Sequence, residues 1–164
     1  MFDSSDQKDQ GYEHKFLVVV DDTEECGRAV TFAACRMRRL RGTVVLLYVI
    51  EPDHYQHWLG VEDIMRAEAT DHAEKLLDKY QSMIADKGDI RTEAVIREGR
   101  TAEEIVKLIE EDREISILVL AASTSSEGPG PLVSAIASRG MGNYPIPVAI
   151  VPGGMTDAQI EAIS

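Results

Sequence analysis

One loop carries residues suited to binding a phosphate group. Residues 123–130 are mostly small, and Pro131, which follows them, suits the first turn of a helix. The unpaired N–H groups at a helix N-terminus bind anions whatever the neighbouring side chains. Gly128 and Gly130 would let the loop fold around a phosphate, whereas Glu127 would repel it. The sequence therefore predicts an anion site here, weakened by an acidic neighbour.

Catalytic and metal-binding patterns are poorer. Four serines lie in or near this loop: Ser123, Ser125, Ser126 and Ser138. None of them has a histidine at a spacing typical of nucleophilic catalysis. The residues that could suggest a metal are Asp53, His54, His57 and His72. An HxxH pair needs a helix to align its rings, and residues 51–60 read as a loop, while a closed metal site needs about four ligands. We expect neither a dedicated enzyme nor a bound metal.

The elements that position the loop alternate between strand and helix. Strands are predicted at residues 15–20, 43–50, 90–97, 115–122 and 147–151, with helices between them and one after the last. This alternation predicts an α/β, Rossmann-like fold, in which a five-stranded parallel, doubly wound sheet has the order 3-2-1-4-5. Ligands of such sheets bind outside the carboxyl ends of the strands where the order reverses. The loops after Val20 and Ala122 should therefore carry the function.

Local signals set the helix ends and the domain limits. Capping boxes are predicted where a polar residue precedes an acidic or amide residue by three positions, at Asp22–Glu25, Thr101–Glu104 and Thr156–Gln159. Gly42 is predicted to end the first helix. We expect a disordered extension over residues 1–14, one domain over residues 15–152 and a short helical tail over residues 153–164.

Composition excludes several classes of protein. The 164 residues carry a net charge of -12, which disfavours binding to nucleic acid. The one basic run, residues 36–41, reads as the solvated end of a helix. The longest apolar stretch, residues 44–50, is far shorter than the ~20 residues of a membrane-spanning helix. Cys26 and Cys35 lie too far apart along one predicted helix to pair, and no signal peptide is recognisable, so we expect a cytoplasmic protein.

Taken together, these segments resemble the universal stress protein family. The resemblance rests on the first strand with its terminal Asp21, on the sequences LYVIEP (47–52) and REGRTAEEI (97–105), and on ILVL (117–120) with IPVAIV (146–151) after a loop and helix. It runs from about Lys15 to Pro152. The family implies a small cytoplasmic α/β domain, usually a homodimer, raised under stress. One branch binds ATP or AMP, with Mg²⁺ accompanying ATP, and another binds no nucleotide.

The resemblance also implies the positions of a nucleotide site. In the binding branch the loop after the fourth strand carries G-x2-G-x9-G-[S/T], and the matching positions here are Ala121, Thr124, Ser134 and Ala135. All four differ from the family's pattern, although their spacing is kept. Gly128 and Gly130 lie within the same loop. At the other strand ends the implied site residues are Val20, Asp21 and Val49, where Asp21 would accept a hydrogen bond from adenine or ribose. A capping role for Asp21 fits the sequence equally well.

Two functions are compatible with these residues. The first is a stress-response module that binds an adenine nucleotide at the carboxyl end of the sheet. The alternative is a dimeric interaction protein of the same fold that binds no nucleotide, favoured by the four changed motif positions. In either case the last strand, from Val148 to Val151, is apolar and bracketed by prolines, as an edge strand is. The resemblance implies that a second copy pairs with it, whereas burial beneath the C-terminal helix is the other explanation.

Overall fold

Five parallel strands form one sheet between two layers of helices. The computed structural model describes residues 13–52 and 60–164. The strands are β1 (Lys15–Val19), β2 (Thr43–Ile50), β3 (Arg91–Glu98), β4 (Ile115–Ala122) and β5 (Val148–Pro152). The helices are α1 (Cys26–Leu40), α2 (Val61–Ala85), α3 (Thr101–Glu111), α4 (Pro131–Arg139) and α5 (Asp157–Ile163). The strand order is β3-β2-β1-β4-β5, which confirms the predicted fold class and topology.

The apolar core is divided by the sheet into two clusters. Alternate residues of the central strands point to opposite faces, so Val18 packs with α1, α2 and α5, whereas Leu17 packs with α3 and α4. Both faces are thus covered, as the continuous apolar sequences of β1, β2 and β4 require. β3 and β5 lie at the edges, and β3 is the more exposed of the two. None of the helices in the described ranges is long and apolar enough to cross a membrane.

The start of α1 differs from the prediction. The helix begins at Cys26, and no side chain caps its first turn, so the proposed Asp22–Glu25 capping box is wrong. Asp21 instead accepts a hydrogen bond from the amide of Thr23 at 3.0 Å and another from the hydroxyl of Thr23. This local turn uses the residues that would otherwise begin the helix.

The end of α1 differs as well. The left-handed residue is Arg41, with φ 55°, and its amide donates to Met37 O, so Gly42 does not have the expected role. Gly42 is needed for another reason, because a Cβ there would lie 2.4 Å from the carbonyl oxygen of His14. The glycine therefore permits close packing of the chain before β1.

The two remaining caps have different outcomes. Thr156 and Gln159 form the predicted reciprocal capping box at the start of α5. The predicted box at Thr101–Glu104 is wrong, since Thr101 is already helical and its amide and hydroxyl both donate to Glu51 Oε1, at 3.2 and 2.6 Å. The carboxylate of Glu51, which follows β2, thus accepts the hydrogen bonds at the start of α3.

A buried ammonium group joins three elements at the amino end of the sheet. Lys15 Nζ lies 3.0 Å from Glu93 Oε1, 2.8 Å from Asp112 Oδ2 and 3.2 Å from Glu114 Oε2. These contacts connect β1 to β3 and to the segment between α3 and β4. Because they lie opposite the carboxyl edge, they stabilise the fold away from the candidate site.

Candidate functional site

A cavity of about 490 Å³ lies at the carboxyl edge of the sheet. We call it the switch-point cavity, because it adjoins the place where the strand order reverses between β1 and β4. The loop after β1, the end of β2, the inner side of α2 and the first turns of α3 and α4 surround it. Its lining residues are Val19, Val20, Asp21, Asp22, Tyr48, Val49, Ile50, Glu51, Ala69, Thr101, Pro131, Leu132 and Ala135.

The apolar walls of this cavity come from the ends of two paired strands. Val19 pairs with Leu47 in the sheet, and the amide of Val20 continues the pairing by donating to Leu47 O at 2.9 Å. Val20 is buried, and Val49 packs against the cluster beneath α3 and α4. The strand ends are therefore fixed by hydrogen bonds on one side and by packing on the other.

Asp21 is a partly buried acidic group of the cavity wall. Burial raises the pKa of its carboxyl above the ordinary value, and the hydrogen bonds from Thr23 oppose this only in part. The amide of Asp21 donates to Cys26 Sγ at 3.4 Å, which holds the turn against α1. Because Thr23 uses only Oδ1, the second oxygen can accept a donor from a ligand. This assigns Asp21 a turn-forming role and leaves a binding role available.

The outer rim is formed by a contact between the β1–α1 loop and α2. His72 Nε2 lies 2.5 Å from Asp22 Oδ1, and the Tyr48 hydroxyl lies 3.5 Å from Asp22 Oδ2. The rings of Tyr48 and His72 meet edge to face with centroids 6.2 Å apart. Sequence reasoning missed this group, because Asp22 and His72 are separated by fifty residues and no local pattern relates them.

Glu51 lines the same cavity as Asp21. It follows β2 as Asp21 follows β1, and its bonds to Thr101 hold the first turn of α3 beside the cavity. Glu51 and Thr101 were not among the predicted site residues. Asp21 was implied by the resemblance to the family, whereas Glu51 could have been found from its position immediately after a buried strand.

A second cavity, of about 500 Å³, lies beyond the start of α4. We call it the acidic cavity, because three of its lining residues are glutamates and none of those within residues 13–52 and 60–164 is basic. It is lined by Thr23, Glu24, Glu25, Ser123, Ser125, Glu127, Gly128, Gly130, Pro131 and Ser134. Pro131 lines both cavities, so a ligand extending from the switch-point cavity past α4 would enter the acidic one.

Most amide donors of the 123–130 loop are already in use. The amide of Ser123 donates to Pro129 O at 2.9 Å, and that of Gly128 to Ser125 O at 3.3 Å. The amides of Ser125 and Glu127 donate to serine hydroxyls within the loop. Pro129 has no amide donor. The loop therefore offers a phosphate few of its own N–H groups.

The predicted site residues fall into three groups. Those lining the switch-point cavity are Val20, Asp21, Val49 and Ala135, and those lining the acidic cavity are Gly128, Gly130 and Ser134. Ala121 and Thr124 line neither. Ala121 points into the core beneath α1, and the Thr124 methyl lies 3.3 Å from where a Cβ on Gly154 would be. The nine residues thus do not surround one space.

The other candidates lie elsewhere. Asp53, His54 and His57 fall outside the described residues, and His72 is paired with Asp22. Within residues 13–52 and 60–164, no three His, Cys, Asp or Glu residues are grouped as metal ligands would be.

Comparison with known proteins decides the family. The sequence profile of the universal stress protein family matches residues 13–152, most of the chain. The chain belongs to the universal stress protein family. The resemblance found in the sequence is thereby confirmed. No curated protein sequence gave a significant match.

Solved structures agree with this universal stress protein fold. Universal stress protein UspA from Lactobacillus plantarum is similar at 21% identity and a TM-score of 0.69, covering 84% of this chain and 97% of that one. An Arabidopsis thaliana family member with AMP bound has 17% identity and a TM-score of 0.57, covering 85% and 91%. The Archaeoglobus fulgidus protein in complex with dAMP has 18% identity and a TM-score of 0.58, covering 85% and 98%. At these identities the likeness establishes the fold.

Proposed function

We propose that this universal stress protein binds an adenine nucleotide, ATP or AMP, with the adenosine part in the switch-point cavity. The observation that carries the proposal is the position of this cavity, at the reversal of strand order and against the first turn of α4. Family members of the same fold bind AMP and dAMP. The proposal extends that ligand class to this chain.

The lining suits an adenosine group chemically. Aliphatic side chains from Val20, Val49 and Leu132 provide apolar surface for the base. Asp21 and Glu51 provide carboxylate oxygens, which accept hydrogen bonds from hydroxyl and amino groups. Adenine has an amino group and ribose has two hydroxyls, so the polar and apolar walls match the two parts of the ligand.

Binding rather than catalysis is the proposed activity. In the part of the chain that the structure describes, neither cavity is lined by a histidine or a lysine that could serve as a base beside a serine. Mg²⁺ enters the proposal only as the counter-ion of ATP. We also propose a cytoplasmic location, supported by the free thiols of Cys26 and Cys35, which are both buried in the core.

The test is calorimetric titration of protein freed of any copurified nucleotide, with AMP and with MgATP. We expect a dissociation constant of about 1–100 μM for at least one of them, which corresponds to about 5.5–8 kcal/mol. Asp21→Asn keeps an oxygen for Thr23 but removes a ligand acceptor, so affinity should fall about tenfold. Asp78→Asn makes the same charge change on an exposed part of α2 and should bind normally. Absence of binding at millimolar ligand would contradict the proposal.

A second candidate function, interaction through a homodimer, is favoured by the β5 edge. β5 pairs with β4 on one side only among the described strands, and Ile150 on it is 38% exposed. Apolar edge strands are rarely left unpaired. We propose that the last strand, Val148 to Val151, pairs with its counterpart in a second copy.

The oligomeric state in solution tests this second proposal. Light scattering after gel filtration should give twice the 18.1 kDa mass of the chain. Ile150→Lys should shift the protein toward the monomer, because it places a charge in the paired edge. Ile163→Lys changes an exposed apolar residue on α5 and should leave the mass unchanged. A monomeric wild type would rule out the dimer.

A further inference from the structure

A glutamate of the chain itself lies at the N-terminus of α4. Gly130 is the residue before the helix, with φ 99°, and Glu25 Oε1 lies 3.0 Å from where a Cβ on Gly130 would be. Glu25 comes from the turn before α1, and its Cβ is 2.8 Å from the corresponding position on Gly153. Glycine at both positions lets the chain approach Glu25 closely on two sides. The packing of the chain at Gly130 and Gly153 therefore fixes the position of the Glu25 side chain.

This position lies beside the one that an anion would occupy, and no side chain of the described residues makes a capping hydrogen bond to the first turn of α4. A helix N-terminus carries about half a positive charge and several unpaired N–H groups, and it attracts carboxylates and phosphates alike. Within the described residues, Glu25 has no ion pair with a lysine or arginine that would neutralise it. A phosphate arriving at the same place would meet a negative charge.

The surroundings add to this repulsion. Glu24 and Glu127 line the same acidic cavity, and no lysine or arginine of the described ranges does. The amides of Ser123 and Gly128 donate within the loop and are not free to bind a phosphate. Each phosphate added to a ligand in the switch-point cavity would extend past Pro131 into this acidic space.

We propose that Glu25 acts as a built-in anion at the start of α4, and that the site therefore selects against phosphate charge, binding adenosine more tightly than AMP and AMP more tightly than ATP. The inference rests on the proposed function, since it concerns the same cavity. It assigns Glu25 a role that neither the sequence pattern nor the family's loop motif indicates.

The expected size of the effect follows from Coulomb's law. Two like unit charges about 7 Å apart, at an effective dielectric constant of about 40–80, weaken binding roughly three- to sevenfold. ATP carries several such charges toward three glutamates, and salt screens part of their repulsion. We therefore expect ATP to bind at least about tenfold more weakly than adenosine at low salt.

The experiment is calorimetric titration of the full chain with adenosine, AMP and ATP, without divalent cations and at constant ionic strength. Glu25→Gln removes the charge but keeps the shape, and it should raise the affinity for ATP about tenfold while changing that for adenosine less than twofold. Glu74→Gln makes the same change on an exposed part of α2 and should alter neither. Raising the salt concentration should narrow the gap between adenosine and ATP in the wild type.

The outcomes separate this inference from the proposal beneath it. If ATP binds as tightly as adenosine, or if Glu25→Gln leaves ATP affinity unchanged, charge selection is refuted while nucleotide binding stands. If none of the three ligands binds, both proposals fail. Glu25 makes no side-chain bond at the start of α1, so the variant should fold, and its melting temperature verifies this.

Discussion

Replacing Lys15 by methionine should cause a large loss of stability. The side chain is 9% exposed, and its ammonium group lies within 3.2 Å of three carboxylates, those of Glu93, Asp112 and Glu114. Methionine fills nearly the same volume but carries no charge. The variant therefore keeps the packing and leaves three carboxylates facing one another.

The magnitude follows from the burial of the four groups. Breaking a fully buried ion pair costs about 3–5 kcal/mol. Here the carboxylates are 24–46% exposed, so water screens part of the repulsion that remains. We expect the free energy of unfolding to fall by about 2–4 kcal/mol, a large part of the 5–15 kcal/mol typical of a domain.

The dependence on pH gives an independent check. Burial by itself lowers the pKa of the Lys15 ammonium, but the three carboxylates outweigh it and raise the pKa above the ordinary value. A raised folded-state pKa contributes stability that is complete below the unfolded-state pKa, about 10.4, and is lost as the pH rises beyond it. The difference in stability between wild type and Lys15→Met should therefore be constant near neutral pH and shrink above about pH 10.4.

Urea unfolding followed by circular dichroism measures both effects. Lys75→Met removes an exposed lysine that pairs with Asp71 and should cost less than about 0.5 kcal/mol. The reasoning is refuted if Lys15→Met loses less than about 1 kcal/mol at pH 7. It is refuted equally if the difference from wild type persists unchanged at high pH.

Three further predictions test other parts of the structure. Thr101→Val removes the hydroxyl bond to Glu51 and should lower the free energy of unfolding in urea by about 1 kcal/mol; no change would contradict the bond. Burial raises the pKa of the Cys26 thiol to about 11, so iodoacetamide should not modify it at pH 8 until the protein unfolds. Peptide mass spectrometry measures the modification, and rapid labelling of the native protein would contradict the burial of this thiol. Gly27→Ala, in α1, should raise the melting temperature, because alanine favours the helix and its Cβ would have no contact closer than 3.9 Å. Gly130→Ala should lower the melting temperature, because Gly130 has a positive φ. Changes of the opposite sign would refute this reasoning.

The topology was predictable because it depends on patterns repeated along the whole chain. Strands β2 and β4 read as continuous apolar runs, which only a sheet covered on both faces accommodates. The helix ends were less predictable, because a capping motif describes three or four neighbours only. Thr101 fits such a motif, yet its partner is Glu51, which lies fifty residues earlier and reaches it through the sheet.

The candidate site was predictable where it follows from the strand ends. The loop after Val20 was found because it follows a buried strand, Asp21 within it was implied by the resemblance to the family, and Glu51 could have been found because it follows a buried strand. Ala121 and Thr124 were selected by counting along a motif, but strand alternation directs Ala121 into the core beneath α1. The approach of Glu25 to Gly130 joins two distant loops, so no local sequence signal could have indicated it.

The two outer strands of the sheet differ in a way that bears on how large an assembly can grow. β3 carries four charged side chains, on Arg91, Glu93, Arg97 and Glu98, whereas β5 carries none. Charged side chains on an edge strand disfavour its backbone pairing with a strand of another molecule. A molecule with one unprotected edge strand can pair through it with a single partner about a twofold axis. The resulting dimer then has no unprotected edge strand with which to bind a third copy. The asymmetry of the sheet thus disfavours the stacking of many copies into fibres.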